Sequence, residues 1–209
     1  MKKWLFFFII LNLYGCTDQK NDSTETEQYK EIRLPDASEA QGKDRESGYI
    51  ENMPNAETVT ETVELNSGSD SQALINALQQ KLKKNGFSLS ASRAAESWAV
   101  NDCRKNKTLK ITGQGVSSFY AESHIGIGSW KDYYPDFLMY VFTFSDSAQA
   151  DRYFGEISSA LVSGGGFCNG KAPDKLVQNG TQLFYLTTRA EMFRGYINQY
   201  AEVIQSFKK

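Results

Sequence analysis

Residues 137–144 read FLMYVFTF, a run in which apolar side chains occupy nearly every position. Successive side chains of a strand point to opposite faces of its sheet, so a run without alternation predicts a strand buried on both faces. Such a strand belongs in the middle of a sheet, at its most buried part. We therefore expect the fold to be built around this segment.

Weaker patterns on either side of this run predict the other elements. Apolar residues at helical spacing predict helices, and β-branched or aromatic runs predict strands. The predicted helices span about 71–85, 146–162 and 189–207, and the predicted strands 108–112, 116–123, 137–144 and 182–187, with an opening strand at 58–65. The order, roughly αβββαβα, predicts a single α+β domain with a mainly antiparallel sheet and helices packed on one face.

Capping residues predict where the second and third helices begin. Ser145 stands immediately before the second helix. Thr188 and Glu191 have the spacing of a capping box ahead of the third, in which each side chain bonds the other residue's backbone N–H.

Composition divides the chain into three parts: residues 1–15, 16–64 and 65–209. The middle part carries 13 acidic against 5 basic residues, and the last carries 16 basic against 12 acidic, within a formal net charge of −2. The middle part has too few large apolar side chains to offset the entropy lost on ordering. We expect a disordered acidic tether at 16–64, followed by one folded domain at 65–209.

The amino terminus has the form of a secretory signal. Lys2 and Lys3 precede an apolar run at 4–13. The run is too short to span a bilayer, which takes about 20 residues. Residues 1–15 are therefore predicted to be a signal peptide that is cleaved.

The segment Leu13-Tyr14-Gly15-Cys16 resembles the lipobox of bacterial lipoproteins. The resemblance implies that Cys16 receives diacylglycerol, becomes the first residue of the mature chain and is then acylated, with fatty acids such as palmitate. Two or more acyl chains give a lasting membrane anchor. Thr17 stands where an Asp would favour inner-membrane retention in enteric bacteria, which implies an outer-membrane location facing the periplasm.

Cys103 and Cys168 remain once Cys16 is lipidated. In an oxidising envelope compartment, a remaining pair most simply forms a disulfide. The alternative, a catalytic thiol, needs a basic partner, and the two cysteines neither form a CxxC motif nor lie near the sole histidine in sequence.

The stretch at 126–137 is the candidate binding surface. Its residues Trp130, Lys131, Tyr133 and Tyr134 are aromatic or basic and lie between glycines and a predicted strand. Aromatic side chains on a loop can stack on sugars or anchor a protein partner. In the alternative, the same rings fold over the sheet as a lid on the core.

Signals for catalysis, metals and cofactors are weak. His124 is the sole histidine, and no G-x-S-x-G elbow accompanies it. Zinc would need several more Cys or His ligands. Residues 165–171 nearly match a phosphate-binding loop, but Ala172 replaces the Ser or Thr that holds magnesium. We expect no catalytic residue, metal or cofactor.

These features predict a non-enzymatic envelope lipoprotein that binds a protein partner or a cell-wall component. One alternative is a hydrolase of envelope polymers using paired carboxylates from Glu122, Asp132 and Asp136. Another is an inhibitor or immunity-type lipoprotein that neutralises a foreign enzyme. Nucleic acid is not an expected partner, because the domain's small basic excess falls short of the charge stripe that such binding needs.

Overall fold

The apolar run is the central strand of a five-stranded sheet in the computed structural model of the chain. The structure describes residues 54–66, 71–92, 97–128, 133–166 and 168–208, which all belong to one compact unit. The central strand is buried or half-buried at every position, because helices cover one of its faces and a helix and a second sheet cover part of the other.

The described chain alternates strands and helices. In order they are β1 (Val59–Glu64), α1 (Gln72–Lys84), β2 (Phe87–Ala91), β3 (Ser97–Asp102), β4 (Lys107–Thr112), β5 (Val116–Ser123), β6 (Asp136–Thr143), α2 (Ser147–Leu161), β7 (Asp174–Asn179), β8 (Gln182–Thr187) and α3 (Arg194–Ser206). Short 3₁₀ turns span Ser163–Gly166 and Glu191–Phe193. The predicted α+β class is confirmed.

The strands form two sheets in the described part of the chain. One has the order β2-β5-β6-β8-β7 and is antiparallel throughout. The other has the order β1-β4-β3, with β1 parallel to β4 and β3 antiparallel to it. The strand pattern predicted one sheet. Instead, β4 pairs with β1 and β3 in a separate sheet and does not join the larger one.

The helices lie on both faces of the larger sheet. Helices α1 and α3 cover one face with a core that includes Leu78, Phe137, Met139, Phe184 and Ile197. Helix α2 and the three-stranded sheet cover part of the other face, with a core that includes Ile111, Phe142, Ile157 and Leu183. This differs from the expected packing on one face, since a central strand that is apolar on both sides needs cover on both sides.

Three strands that the pattern did not predict lie at sheet edges. They are β2 and β7 in the larger sheet and β3 in the smaller one. Each is only five or six residues long and partly polar, as in FSLSA and DKLVQN. An edge strand meets a partner on one side only, so it needs less apolar surface and leaves a weaker signal.

Both predicted helix starts differ from the observed ones. Asp146, not Ser145, caps α2, and its side chain accepts a hydrogen bond from the Gln149 N–H at 2.8 Å. The Thr188 hydroxyl donates instead to the Asp136 carbonyl oxygen at 2.6 Å. The capping box therefore does not form, and a 3₁₀ turn precedes α3.

Cys103 and Cys168 lie at disulfide distance, with their Sγ atoms 1.99 Å apart, as expected. The pair connects the turn between β3 and β4 to the segment after α2. A hydrogen-bond network surrounds it. The Ser163 hydroxyl accepts from the Cys103 N–H at 3.0 Å, and the Asn169 side chain bonds both the N–H and the carbonyl of Asn101.

The predicted opening strand is present as β1, so the fold begins ahead of the boundary expected at residue 65. The signal peptide, Cys16 and most of the expected tether lie outside the described residues. Within the described ranges, no helix combines the length and apolar character needed to cross a membrane.

Candidate functional site

Two of the four predicted binding residues lie on the described part of the loop between β5 and β6. Tyr133 and Tyr134 have 47% and 40% of their surface exposed. Trp130 and Lys131, the other two, lie outside the described residues. The described tyrosine rings are accessible from solvent, where a partner can reach them.

Arg189 anchors the end of this loop to the sheet. Its Nη2 donates to the Tyr134 carbonyl oxygen at 3.0 Å, and its Nε lies 3.2 Å from Asp136 Oδ2. The guanidinium also lies over the ring of Phe193, 5.5 Å from its centre. The three contacts of Arg189 thus hold in place the end of the loop that carries the exposed tyrosines.

Tyr120 on β5 completes the cluster around Asp136. Its hydroxyl donates to Asp136 Oδ2 at 3.0 Å. Burial of the hydroxyl and its bond to the Asp136 carboxylate raise the pKa of Tyr120 to about 12. The ring remains 37% exposed, so one end of Tyr120 is fixed while one face is open to solvent.

The strand register places these residues on one face of the larger sheet. Glu122 lies opposite Asp136, and Tyr120 opposite Leu138. Leu138 lies opposite Thr187, and Thr187 opposite Asp174. We call this surface the open half-face; its residues are Ser88, Ser90, Tyr120, Glu122, Asp136, Leu138, Asp174, Thr187 and, just past the end of β8, Arg189.

A second tyrosine–carboxylate pair lies at the far side of the open half-face. Burial raises the pKa of Tyr185 to about 12, and the neighbouring Asp174 carboxylate adds to the increase. Burial also raises the pKa of Asp174, against the opposing charge of Arg194 and a hydrogen bond from Tyr185. The ionised Asp174 is therefore held in a place that disfavours its charge.

An aromatic cluster marks the border between the open half-face and the covered part of the same face. Trp98 from the smaller sheet packs against Phe142 and Tyr185, with ring centres 5.2 and 5.0 Å apart, and against Tyr140 at 6.5 Å. Beyond this border the face is apolar and lies under α2 and the smaller sheet.

Exposed apolar surface is concentrated at the same end of the sheet. Among the described residues, the exposed large apolar side chains are Val59, Tyr120, Ile125, Tyr133, Tyr134, Val162 and Met192. All except the two valines lie on β5, on the loop after it, or in the turn that follows β8. Scattered exposed apolar residues are ordinary, so their grouping makes this end of the sheet the candidate binding surface.

The predicted carboxylate pair for hydrolysis is only partly assembled. Glu122 and Asp136 are cross-strand neighbours, a relation that places Cβ atoms about 4.5–5.5 Å apart. Asp136 Oδ2 already accepts from Tyr120 and Arg189, which fix it in position. Asp132, the third predicted acid, lies outside the described residues.

The other predicted chemical candidates lie apart from one another. His124 is exposed at the end of β5, and its backbone N–H donates to the Gly86 carbonyl at 2.9 Å. The described residues contain no cluster of His, Cys, Asp or Glu suited to a metal ion. A shallow pocket of about 510 Å³ lies elsewhere, lined by Ser97, Lys110, Thr112, Gly113, Gln114 and Val116.

Sequence reasoning did not find Tyr120, Asp174, Tyr185 or Arg189. Arg189 is 53 residues from Asp136 in sequence, and only the strand register brings the two together. One sequence signal could have found Tyr120. In β5, Ser118, Tyr120 and Glu122 occupy every second position, as the polar face of a half-exposed strand does.

Comparison of the chain with protein-family models, curated proteins and solved structures finds no match.

Proposed function

We propose that this chain is a lipid-anchored protein of the bacterial cell envelope whose folded domain is a non-enzymatic binding module. The observation that supports a binding module most directly is the grouping of exposed Tyr120, Ile125, Tyr133, Tyr134 and Met192 at one end of the larger sheet. The partner is a protein or a cell-wall component that contacts this end.

The hydrogen bonds that fix the end of the loop favour binding of a partner. Arg189 and Tyr120 both bond Asp136, and Arg189 also bonds the backbone of Tyr134. A surface held in place before binding loses less conformational entropy when a partner docks. Tyrosine is well suited to such a surface, because it offers a large ring with few rotatable bonds.

The envelope location is supported by two independent features. The first is the signal and lipobox resemblance ending at Cys16. The second is the disulfide-distance pair Cys103–Cys168, which fits an oxidising compartment.

Anchorage is tested by labelling the native host with radioactive palmitate. We expect label in the wild-type protein and its recovery in the membrane fraction, with an outer-membrane position checked by density fractionation. The Cys16→Ala variant should carry no label and leave the membrane. Equal labelling of both proteins would contradict lipidation at Cys16.

Binding is tested by cross-linking in intact cells, followed by mass spectrometry of the captured proteins. We expect one envelope protein that is recovered with wild type and lost with the double variant Tyr133→Ala and Tyr134→Ala. The matched control is Val162→Ala, which changes an exposed apolar residue away from the cluster. Capture that is insensitive to the tyrosine changes would contradict the assigned surface.

A hydrolase of envelope polymers is the second candidate, and the proximity of Glu122 to Asp136 favours it. Catalysis would release soluble fragments from purified peptidoglycan sacculi, and Glu122→Gln would abolish the release. No release by wild-type protein would contradict the hydrolase.

A further inference from the structure

We propose that the open half-face binds an uncharged, hydroxyl-rich polymer, namely a glycan strand. This inference rests on the proposed binding function and names the chemical class of the ligand. It assigns recognition to Tyr120, Glu122 and Asp174, next to the loop tyrosines, while the buried Asp136 positions Tyr120.

The charges of the open half-face disfavour a polyanionic ligand. Three carboxylates lie on it, from Glu122, Asp136 and Asp174. The guanidinium of Arg189 is already paired with Asp136, and that of Arg194 with Glu191. Phosphate-bearing lipids and polymers would meet net negative charge here, which disfavours them relative to an uncharged polymer.

The polar groups match the needs of sugar hydroxyls, which both donate and accept hydrogen bonds. Carboxylates accept, the guanidinium donates, and serine and threonine hydroxyls do both. The exposed Glu122 carboxylate makes no hydrogen bond or ion pair within the described residues. It is therefore free to accept from a ligand, and bonds to an ionised acceptor are stronger than neutral ones.

Apolar groups lie between these polar ones, as stacking against the C–H face of a sugar ring requires. Tyr120 and Leu138 are cross-strand neighbours at the centre of the surface, and Tyr140 and Tyr185 follow at its inner border. The hydrogen bond from Tyr120 to Asp136 holds the Tyr120 ring in place before a ligand arrives.

The dimensions favour a polymer over a single small molecule. Five strands about 4.8 Å apart give the surface a width of roughly 19 Å, room for several sugar rings side by side. Trp98 of the smaller sheet packs on Tyr185 and borders this surface on one side. A surface of this width suits an extended chain.

The position of Asp174 gives further support. It is half-buried in surroundings that raise its pKa, so its charge lowers stability at neutral pH. Groups kept at such a cost are concentrated at functional sites.

The test uses the full-length lipidated protein in detergent micelles. It is mixed with protein-free peptidoglycan sacculi, with chitin, an uncharged glycan without peptides, and with soluble inorganic polyphosphate, a polyanion without lipid. Bound protein is measured by co-sedimentation with the insoluble glycans and by calorimetry with the soluble polyphosphate. We expect binding to sacculi and to chitin but not to polyphosphate.

The deciding variant is Glu122→Gln, matched with Glu64→Gln. Both glutamates are exposed on strands, but Glu64 lies on the smaller sheet. We expect Glu122→Gln to weaken glycan binding about tenfold and Glu64→Gln to leave it unchanged, with equal urea-unfolding midpoints for all three proteins. A Tyr120→Ala variant with an intact fold should weaken binding at least as much.

Three results would overturn the proposal. They are no binding to chitin, binding to polyphosphate that equals binding to the glycans, and equal effects of the two glutamate variants. If a protein partner is still captured through Tyr133 and Tyr134, the glycan proposal alone fails. If nothing is captured either, the proposed binding function fails with it.

Discussion

The two faces of the larger sheet differ in how far other elements cover them. The face under α1 and α3 is apolar at its centre, where Met139, Val141 and Phe184 are fully buried. The opposite face is apolar only where α2 and the smaller sheet cover it, and it becomes polar on the open half-face. The covered surfaces supply stability, so the uncovered part can carry charged side chains that a core would not accept.

The largest expected effect concerns the disulfide that fastens the covering layer. Replacing Cys103 and Cys168 together by serine opens a loop of 65 residues. We expect a loss of about 4 kcal/mol in the free energy of unfolding, because the unfolded chain regains the entropy of the open loop. Urea unfolding of both proteins measures it, and chemical reduction of wild type should give a similar loss. A loss below about 1 kcal/mol would show that α2 and the smaller sheet stay packed on the larger sheet without the disulfide.

The next effect compares a leucine on each face. Leu186 is fully buried under α1 and α3, whereas Leu138 is half-buried on the open half-face. We expect Leu186→Ala to cost about 3 kcal/mol, since it leaves a cavity, and Leu138→Ala about 1 kcal/mol. Thermal and urea unfolding of the two variants provide the measurement. Equal losses would mean that the open half-face is packed as tightly as the core.

A smaller effect is expected at alkaline pH. The pKa values of Tyr120 and Tyr185 are raised to about 12, so the folded state holds both protons more tightly than the unfolded chain. Their stabilising contribution is complete below about pH 10 and is lost as the pH rises towards 12.

Urea unfolding between pH 8 and pH 11.5 measures this loss, and Tyr185→Phe should reduce it by an amount on the order of 1 kcal/mol. Part of the loss should persist in that variant, because burial also raises the pKa of Tyr200 on the opposite face. An unchanged pH profile in Tyr185→Phe would contradict the assigned shift.

The smallest effect has the opposite sign. Because burial raises the pKa of Asp174, its ionisation lowers stability above the pKa of the unfolded chain. We expect Asp174→Asn to raise the free energy of unfolding at pH 7 by a few tenths of a kcal/mol, and to lose the gain near pH 3. Differential scanning calorimetry at both pH values measures it. Destabilisation at pH 7 would show that the charge is needed by the fold.

The sequence predicted the fold correctly where the evidence lay within a short segment or in the residue count. The central position of β6 follows from its apolar run, and the cysteine pair at disulfide distance was predicted from the two cysteines that remain when Cys16 is assigned to lipidation. The edge strands β2, β3 and β7 could not be found in this way, because their partly polar residues are stabilised by neighbours distant in sequence.

Only the loop residues of the candidate site could be predicted from the sequence. Tyr133 and Tyr134 stood out as neighbouring aromatics in an irregular stretch. Asp174, Tyr185 and Arg189 did not, because each belongs to the surface only through the pairing of β6, β7 and β8. The failed capping box has the same cause, since the Thr188 hydroxyl bonds the backbone of β6 instead.

The parallel pairing of β1 with β4 has a mechanical consequence if the domain is anchored through Cys16. Tension from the membrane would enter at Val59, whose N–H donates to the Asn106 carbonyl, and would run along β1. The hydrogen bonds to β4 lie across that direction, from Val59 to Glu64. They would be loaded together in shear instead of opening one after another. A partner held on the open half-face would therefore pull on the anchor through the part of the smaller sheet best arranged to resist force.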